Sequence, residues 1–274
     1  MNGKLFIIAT PIGNLGDITY RAVEVLNDVD LIAAEDTRQT LKLLNHLKIS
    51  KPLISYYKEI EKNKSIVIID KLKEGKNIAL VSDAGTPGIS DPGEYVIKQA
   101  IKEEIKVIPI PGPCAAISAL ICSGINTNQF LFIGFLSAKK KEKVDKLNEV
   151  KKYTSTLVFY EAPHKIKETL TCMLEILGDR NISIARELTK IHEEFIRGKI
   201  SEIINTIEER GEMVIIVEGA KISESEIEKE KRNKMTIEEH YKFYEKMGLE
   251  KKEIIKKIAK DRNVSKNEIY QQFI

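Results

Sequence analysis

Three stretches of the 274-residue chain, 10–17, 82–93 and 109–116, set glycine and proline directly behind short apolar runs. Glycine lets a backbone approach a ligand closely, and proline fixes a loop's shape at little entropic cost, so such stretches suit a preformed pocket. A tight structural turn or a helix start is the competing account of each. None matches the glycine patterns that cradle phosphates, whether GxxxxGK[ST] or GxGxxG. The chemistry they suit is that of a ligand without phosphates; S-adenosylmethionine, an adenosine bearing a sulfonium and an amino acid, is one. Asp83 adds a charge that favours a cation and oxygens that accept from an ammonium or a ribose. His164 and His192 have no second histidine or cysteine at ligand spacing, so no metal site is expected. Tyr56, Tyr57, Phe159 and Tyr160 could stack on a base, though a core or interface role also accounts for them.

Rigid elements must hold these loops. Apolar, β-branched runs at 5–9, 31–34, 78–81, 107–110, 130–134, 156–160, 182–185 and 213–218 read as strands, several of them apolar on both faces. Helical spacing or capping chemistry marks 19–27, 37–47, 61–75, 92–104, 115–123, 139–152, 164–177 and 201–210. Ser90, Asp91 and Pro92 place a capping residue before a proline suited to a first helical turn. Strands alternating with helices predict an α/β fold with largely parallel, buried sheets. A polar stretch at 123–128 divides the pattern, giving α/β domains over 1–123 and 124–220. The tail, 221–274, opens with alternating glutamate and lysine and then offers helices at 236–246, 251–260 and 266–273. Its apolar positions Ile254, Ile255, Ile258, Ala259, Val264, Ile269 and Phe273 could close a small all-α, helix-turn-helix-like unit.

Composition narrows the function further. Lys+Arg total 44 and Asp+Glu 41, a formal charge of +3, with 42% hydrophobic and 31% charged residues. The chain can bury real cores, lacks the signature of disorder, and is not a uniformly basic nucleic-acid binder. Its excess is local: 220–274 holds 14 basic and 11 acidic residues, leaving 30 of each before it. The stretch 138–152 holds seven lysines against three acids, among them Lys139, Lys140 and Lys141. A solvated helix face and a phosphate-holding surface are the two accounts of that run. Cys114, Cys122 and Cys172 are odd in number and unpaired in spacing, which points to a reducing, cytoplasmic setting. The first apolar run is too short for a signal-peptide core or a membrane span, so no membrane association is expected.

Five runs then carry a resemblance: 7–19, Ala34-Glu35-Asp36-Thr37-Arg38, 82–93, Phe159-Tyr160-Glu161-Ala162-Pro163-His164 and Ala185-Arg186-Glu187-Leu188-Thr189-Lys190. In order over about 4–219 they resemble the ribosomal RNA branch of the tetrapyrrole methylase superfamily, with 82–93 and 185–193 specific to that branch. The resemblance implies two α/β domains with S-adenosylmethionine folded into the cleft between them. It also implies methyl transfer to the ribose 2′-hydroxyl of a cytidine in small-subunit ribosomal RNA, by a homodimer acting on that RNA or on the assembled subunit; a methylase of a small tetrapyrrole and a non-catalytic RNA-binding assembly factor are the alternatives.

The same resemblance places cofactor contacts at Pro11, Ser82, Asp83, Ile89, Cys114, Ala115, Glu161 and Leu188. Cys114 stands where the family has a hydroxyl, so a backbone contact is implied there, and Ser137 stands where it has proline. Methyl transfer from a sulfonium is an in-line displacement helped by a base for the hydroxyl proton. Glu187, Lys190 and Glu35 or Asp36 are candidates; the alternative for each is an ion pair closing the interface, with Arg38 and Arg186 as partners. A charged lysine would instead stabilise the developing oxyanion or hold a phosphate. Lys139, Lys140, Lys141 and Arg186 are the candidate RNA contacts, and the basic tail is either an RNA-gripping unit or a structural cap.

Overall fold

The computed structural model describes residues 2–221 and 232–273. The chain divides into two compact units, Met1–Gly219 and Ala220–Ile274.

The first unit holds two sheets. One comprises β1 (Lys4–Ile8), β2 (Leu31–Ala34), β3 (Leu53–Ser55), β4 (Ile78–Val81) and β5 (Lys106–Ile110), all parallel, in the order β3-β2-β4-β1-β5. Every residue of β2 and β4 is buried, because successive side chains feed opposite faces. Leu31 and Ala33 pack with α3 (Glu61–Lys73) and α4 (Glu94–Lys102), through Ile68, Leu72 and Val96. Ile32 and Ala34 pack on the other face with α1 (Tyr20–Asp28) and α2 (Thr37–His46), through Leu26 and Leu44. These are the continuous apolar runs seen in the sequence.

The second sheet comprises β6 (Phe130–Phe135), β7 (Thr156–Glu161), β8 (Asn181–Arg186), β9 (Glu194–Lys199) and β10 (Met213–Val217), ordered β6-β7-β10-β8-β9. Only β6 and β7 run parallel; β10 is antiparallel to both its neighbours, and β8 and β9 form an antiparallel pair. The expectation of largely parallel sheets thus holds for the first and fails for the second, where a hairpin replaces a helical crossover. One face is covered by α6 (Lys140–Val150), α7 (Ile166–Leu177) and the short α8 (Ile200–Ile203). The other is covered by α5 (Ala115–Cys122), which leaves the first sheet and lays Ala116, Ala119 and Leu120 on Val158, Val214 and Ile216.

Two expected helices change. The helix expected from Pro92 begins at Glu94, capped by Gly93 at φ 151°, where a Cβ would sit 3.1 Å from Leu80; Asp91 does not cap it. The helix expected over 201–210 is confined to Ile200–Ile203. Beyond it the Asn205 amide donates to the Ser201 carbonyl and the Thr206 hydroxyl to the Ile203 carbonyl, side chains competing for acceptors a helix would use.

The tail unit contains α9 (Ile237–Glu245), α10 (Lys251–Arg262) and α11 (Lys266–Tyr270) around Tyr244, Ile254, Ile255, Ile258, Ala259 and Ile269. Val264 is exposed and does not join that core. The Glu/Lys run at 222–231 and the side chain of Phe273 lie outside the described residues. Lys251, Lys252, Lys256, Lys257, Lys260 and Lys266 all face solvent. Helix α9 opens with a capping box, the Thr236 hydroxyl accepting from Glu239 N and the Glu239 carboxylate accepting from Thr236 N. Thr236→Ala is expected to cost this unit about 1 kcal/mol, read as faster amide exchange in α9 with the first unit unaffected.

Candidate active site

The carboxyl ends of β4, β1 and β5 lie side by side and deliver the three glycine- and proline-bearing loops to one edge of the first sheet. Backbone stitching holds them together. Thr10 and Gly85 exchange two N–H···O bonds of 2.9 and 3.0 Å, the Thr10 hydroxyl donates to Ser82 O, and the Thr86 hydroxyl donates to Pro113 O. Gly85 takes φ +81°, the left-handed region glycine enters freely. Gly112 admits Ala9 to a position only 2.9 Å from where a Cβ would stand.

Opposite them stand the ends of β7 and β8, the start of β10 and the β8–β9 turn. Gly13 joins the two sides: a Cβ there would lie 2.6 Å from Lys190 Cγ and 3.0 Å from Leu188 O. Between the sides is a cavity of about 360 Å³. Ile89, Cys114, Ala115, Glu161 and Leu188 line it, as do Tyr160, Asp91, Glu212 and Met213. Pro11, Ser82 and Asp83, expected as cofactor contacts, do not line it. Ser82 is buried under the Thr10–Gly85 pair, and Asp83 turns its carboxylate to accept from Asp36 N at 2.9 Å.

The cavity's electrostatics are one-sided. Asp91, Glu161 and Glu212 line it, and no lysine, arginine or histidine does among the described residues. Behind it Glu35 is pushed above its ordinary 4.5, first by burial and then by Asp91. Asp91 is raised in turn by burial and by Asp83. Crowded, partly buried carboxylates of this kind are relieved by a cation and repel phosphate. The fit to S-adenosylmethionine is therefore good: apolar walls for an adenosine, carboxylates for a sulfonium and an ammonium, and nothing to bind phosphate. Tyr160, with its phenol pushed up to about 12 chiefly by burial, stays protonated and accepts from Ala116 N at 3.2 Å, fixing the start of α5.

The candidate bases and anion-binding residues are mostly engaged with one another. Asp36 caps α2 and pairs with Arg38, at 2.7 Å to the guanidinium and 2.8 Å to the backbone N–H. Arg38 holds its carboxyl at about 2 against an ordinary 3.8, so the stabilisation is complete above that ordinary value and is lost as pH falls toward 2. Asp36→Asn should flatten the acid limb of the stability curve within that window, measured by urea unfolding at stepped pH, while conserving the cap.

Glu187, at φ +50°, accepts from Lys190 Nζ and from Glu212 N, both at 2.9 Å. Lys190 also donates to Glu212 at 2.8 Å. The hydrogen bond from Lys190 lowers the Glu187 carboxyl; burial opposes the lysine's charge, but Glu212 and Glu187 outweigh it and raise its pKa. Lys190 is thus held as an ammonium. Arg186, expected on an RNA face, is instead buried and bonded to Glu194 and Glu208. Lys139 pairs with Glu142, whereas Lys140 and Lys141 are exposed. Lys143, counted in the basic run, is buried beneath α6. His164 and His192 are exposed, and no metal-capable cluster occurs among the described residues. No described helix is long and apolar enough to cross a membrane.

Two sheets enclose a cleft lined by three carboxylates and no basic side chain, an arrangement that suits a methylase of the kind that the sequence resembles. The chain belongs to the tetrapyrrole (corrin/porphyrin) methylase family, whose model matches residues 4–204. It is 50% identical over 274 residues to the ribosomal RNA small subunit methyltransferase I of Bacillus subtilis (strain 168), covering 99% of this chain and 94% of that protein. The protein of the same name from Synechocystis sp. is 43% identical over 279 residues, covering 98% and 96%. Among solved structures, diphthine synthase superposes with a TM-score of 0.63 at 12% identity, covering 82% of this chain and 94% of that one. Uroporphyrin III C-methyl transferase from Thermus thermophilus gives 0.57 at 13% identity, covering 79% and 97%; both share the fold.

Proposed function

We propose that this protein transfers a methyl group from S-adenosylmethionine to the ribose 2′-hydroxyl of a cytidine in small-subunit ribosomal RNA. The observation that carries this reading is the preformed cleft lined by Asp91, Glu161 and Glu212 without a basic side chain, in a chain half identical to a protein named for methylation of that RNA. When bound, S-adenosylmethionine supplies an electrophilic methyl carbon on a cationic sulfur. Ile89, Cys114, Ala115, Glu161 and Leu188 would hold it, the first three and Leu188 by shape and Glu161 by charge. Pro11, Ser82 and Asp83 support the loops that close around it.

The acceptor hydroxyl needs alignment and a site for its proton or its developing charge. Lys190, kept charged by Glu187 and Glu212 beside the cavity, suits stabilisation of the oxyanion; Glu187 positions it, and Asp36 fixes the start of α2. The exposed Lys140 and Lys141, with Lys139, suit the phosphates of an RNA strand. In this reading 1–123, 124–220 and 221–274 act as successive domains, α5 being the part of the first that docks on the second sheet. The working form is a cytoplasmic homodimer acting on the assembled subunit.

The test is incubation of the purified protein with radiolabelled S-adenosylmethionine and small ribosomal subunits from cells lacking its gene. Label in the ribose of a single cytidine is the expected result. Cofactor binding by calorimetry with no label in RNA would overturn the proposal.

A further inference from the structure

Helix α6 presents Lys143, Leu147 and Val150 to the core of the second sheet, spaced as one buried stripe. Two of the three are aliphatic, and the first is a lysine whose side chain is only 1% exposed. An ammonium in such a place is retained at a cost that an aliphatic residue would avoid, so its partners indicate what it does there. They are Glu168 Oε1 at 2.8 Å and Thr169 Oγ1 at 3.3 Å, both on α7. Thr169 is fully buried, and its hydroxyl donates to Glu161 Oε2 at 2.6 Å. The other oxygen of Glu161 accepts from Ala162 N at 2.9 Å. Glu161 is itself 4% exposed and lines the cavity.

The polarity of this chain is fixed. Lysine can only donate, and a carboxylate can only accept, so the threonine hydroxyl must receive from one and give to the other. Its proton therefore points at Glu161, and rotation away would leave a buried acceptor unpaired. With its neighbour's N–H on the second oxygen, the carboxylate is clamped at both atoms and cannot swing out of its plane.

We infer that Lys143 and Thr169 are positioning residues that fix the Glu161 carboxylate in the wall of the cavity, and so set the affinity for S-adenosylmethionine without touching it. The inference rests on the reading of the cavity as the cofactor site. It gives the buried member of the lysine run a task unrelated to RNA.

Four single variants of the full chain test it: Thr169→Val, Thr169→Ser, Lys143→Met and Glu161→Gln, each assayed for S-adenosylmethionine binding by calorimetry and for methyl transfer. Thr169→Val keeps the side chain's shape and removes the relay. It should raise the cofactor's Kd and KM about tenfold, as expected for one hydrogen bond to a charged group, with kcat at saturating cofactor little changed. Thr169→Ser should restore both constants to within about twofold, because it returns the hydroxyl. Lys143→Met should weaken binding similarly, and Lys143→Met/Thr169→Val should be no weaker than either alone, as members of one chain are not additive. Should Lys143→Met fail to fold, the Val and Ser pair at 169 decides alone.

If Glu161→Gln weakens binding while Thr169→Val binds as the parent does, the relay is overturned and the cofactor reading stands. If Glu161→Gln leaves affinity unchanged, the cofactor role of this wall falls, and the inference with it. A loss in Thr169→Val that serine does not repair also overturns the relay, since it would then be packing that matters.

Discussion

Replacing Ala115 with tryptophan should weaken S-adenosylmethionine binding by about 100-fold or more, some 2.7 kcal/mol, while leaving the protein folded. Ala115 is the first residue of α5 and lines a cavity of about 360 Å³, so an indole there occupies space that the ligand needs. The helix itself has no reason to break. Its buried core contacts come from Ala116, Ala119 and Leu120, with Ala115 only partly buried against them, and its start is fixed by the Tyr160 hydroxyl accepting from Ala116 N. Ile121→Trp, at an exposed position of the same helix, should leave binding unchanged and controls for the cost of an added indole. Calorimetric titration with the cofactor and thermal unfolding of both variants make the comparison. Unchanged affinity in Ala115→Trp would place the cofactor elsewhere.

The second large effect is on stability. Gly211 takes φ +75°, and a Cβ there would stand 2.5 Å from Glu187 Cγ and 2.9 Å from its Cδ. Gly211→Ala therefore incurs two costs: a left-handed backbone for an L side chain, and displacement of Glu187 from its bonds with Lys190 and Glu212 N. Together these should destabilise the protein by about 2–3 kcal/mol, seen as a lower urea midpoint at unchanged slope. Gly124 separates the two terms. Its φ of +78° is similar, but no atom lies within 4 Å of the built Cβ, so Gly124→Ala should cost only the backbone part, about 1 kcal/mol. Since the displaced glutamate also holds Lys190, Gly211→Ala should lower methyl transfer even where it remains folded.

How far the sequence discloses this architecture depends on what surrounds each residue. Strands β2 and β4 were legible because burial on both faces leaves an unbroken apolar signature. Strand β3 leaves no clear signature, because it has three residues and follows Pro52. Strand β9 lies at a sheet edge, where Glu194, Arg197 and Lys199 interrupt any apolar pattern. Strand direction in the second sheet was not legible at all, since the 187–193 connection reads as a loop whether it returns as a hairpin or leads to a crossover.

The site divides in the same manner. Glycine and proline advertised the loops that bring Ile89, Cys114 and Ala115, whereas Glu212 and Met213 reach the cavity from a strand start with no local signal. Asp91 reads as a cap from its place before Pro92, whereas in the structure Gly93 is the N-cap and Asp91 lines the cavity. The spacing of Lys143 to Leu147 and Val150 carries the signal of its burial, which composition alone does not. Asp36 with Arg38 and Glu187 with Lys190 show why titratable residues near a loop cannot be assigned roles from type: each is committed to a partner that only the fold brings near or orients.

The strand order of the first sheet also sets a schedule for biosynthesis. Strand β1 is the first to leave the ribosome, yet its two neighbours in the sheet are β4 and β5, which begin at Ile78 and Lys106. An apolar strand made first thus waits unpaired while about seventy residues are added, a matter of several seconds at ordinary elongation rates. Its edges cannot be closed by local contacts, because parallel pairing needs the long crossovers that come later. The loop after β1 meets Lys190 later still, and Glu212 and Met213 complete the cavity wall from the start of β10, so the cleft proposed for the cofactor is finished only near the end of synthesis of the first unit.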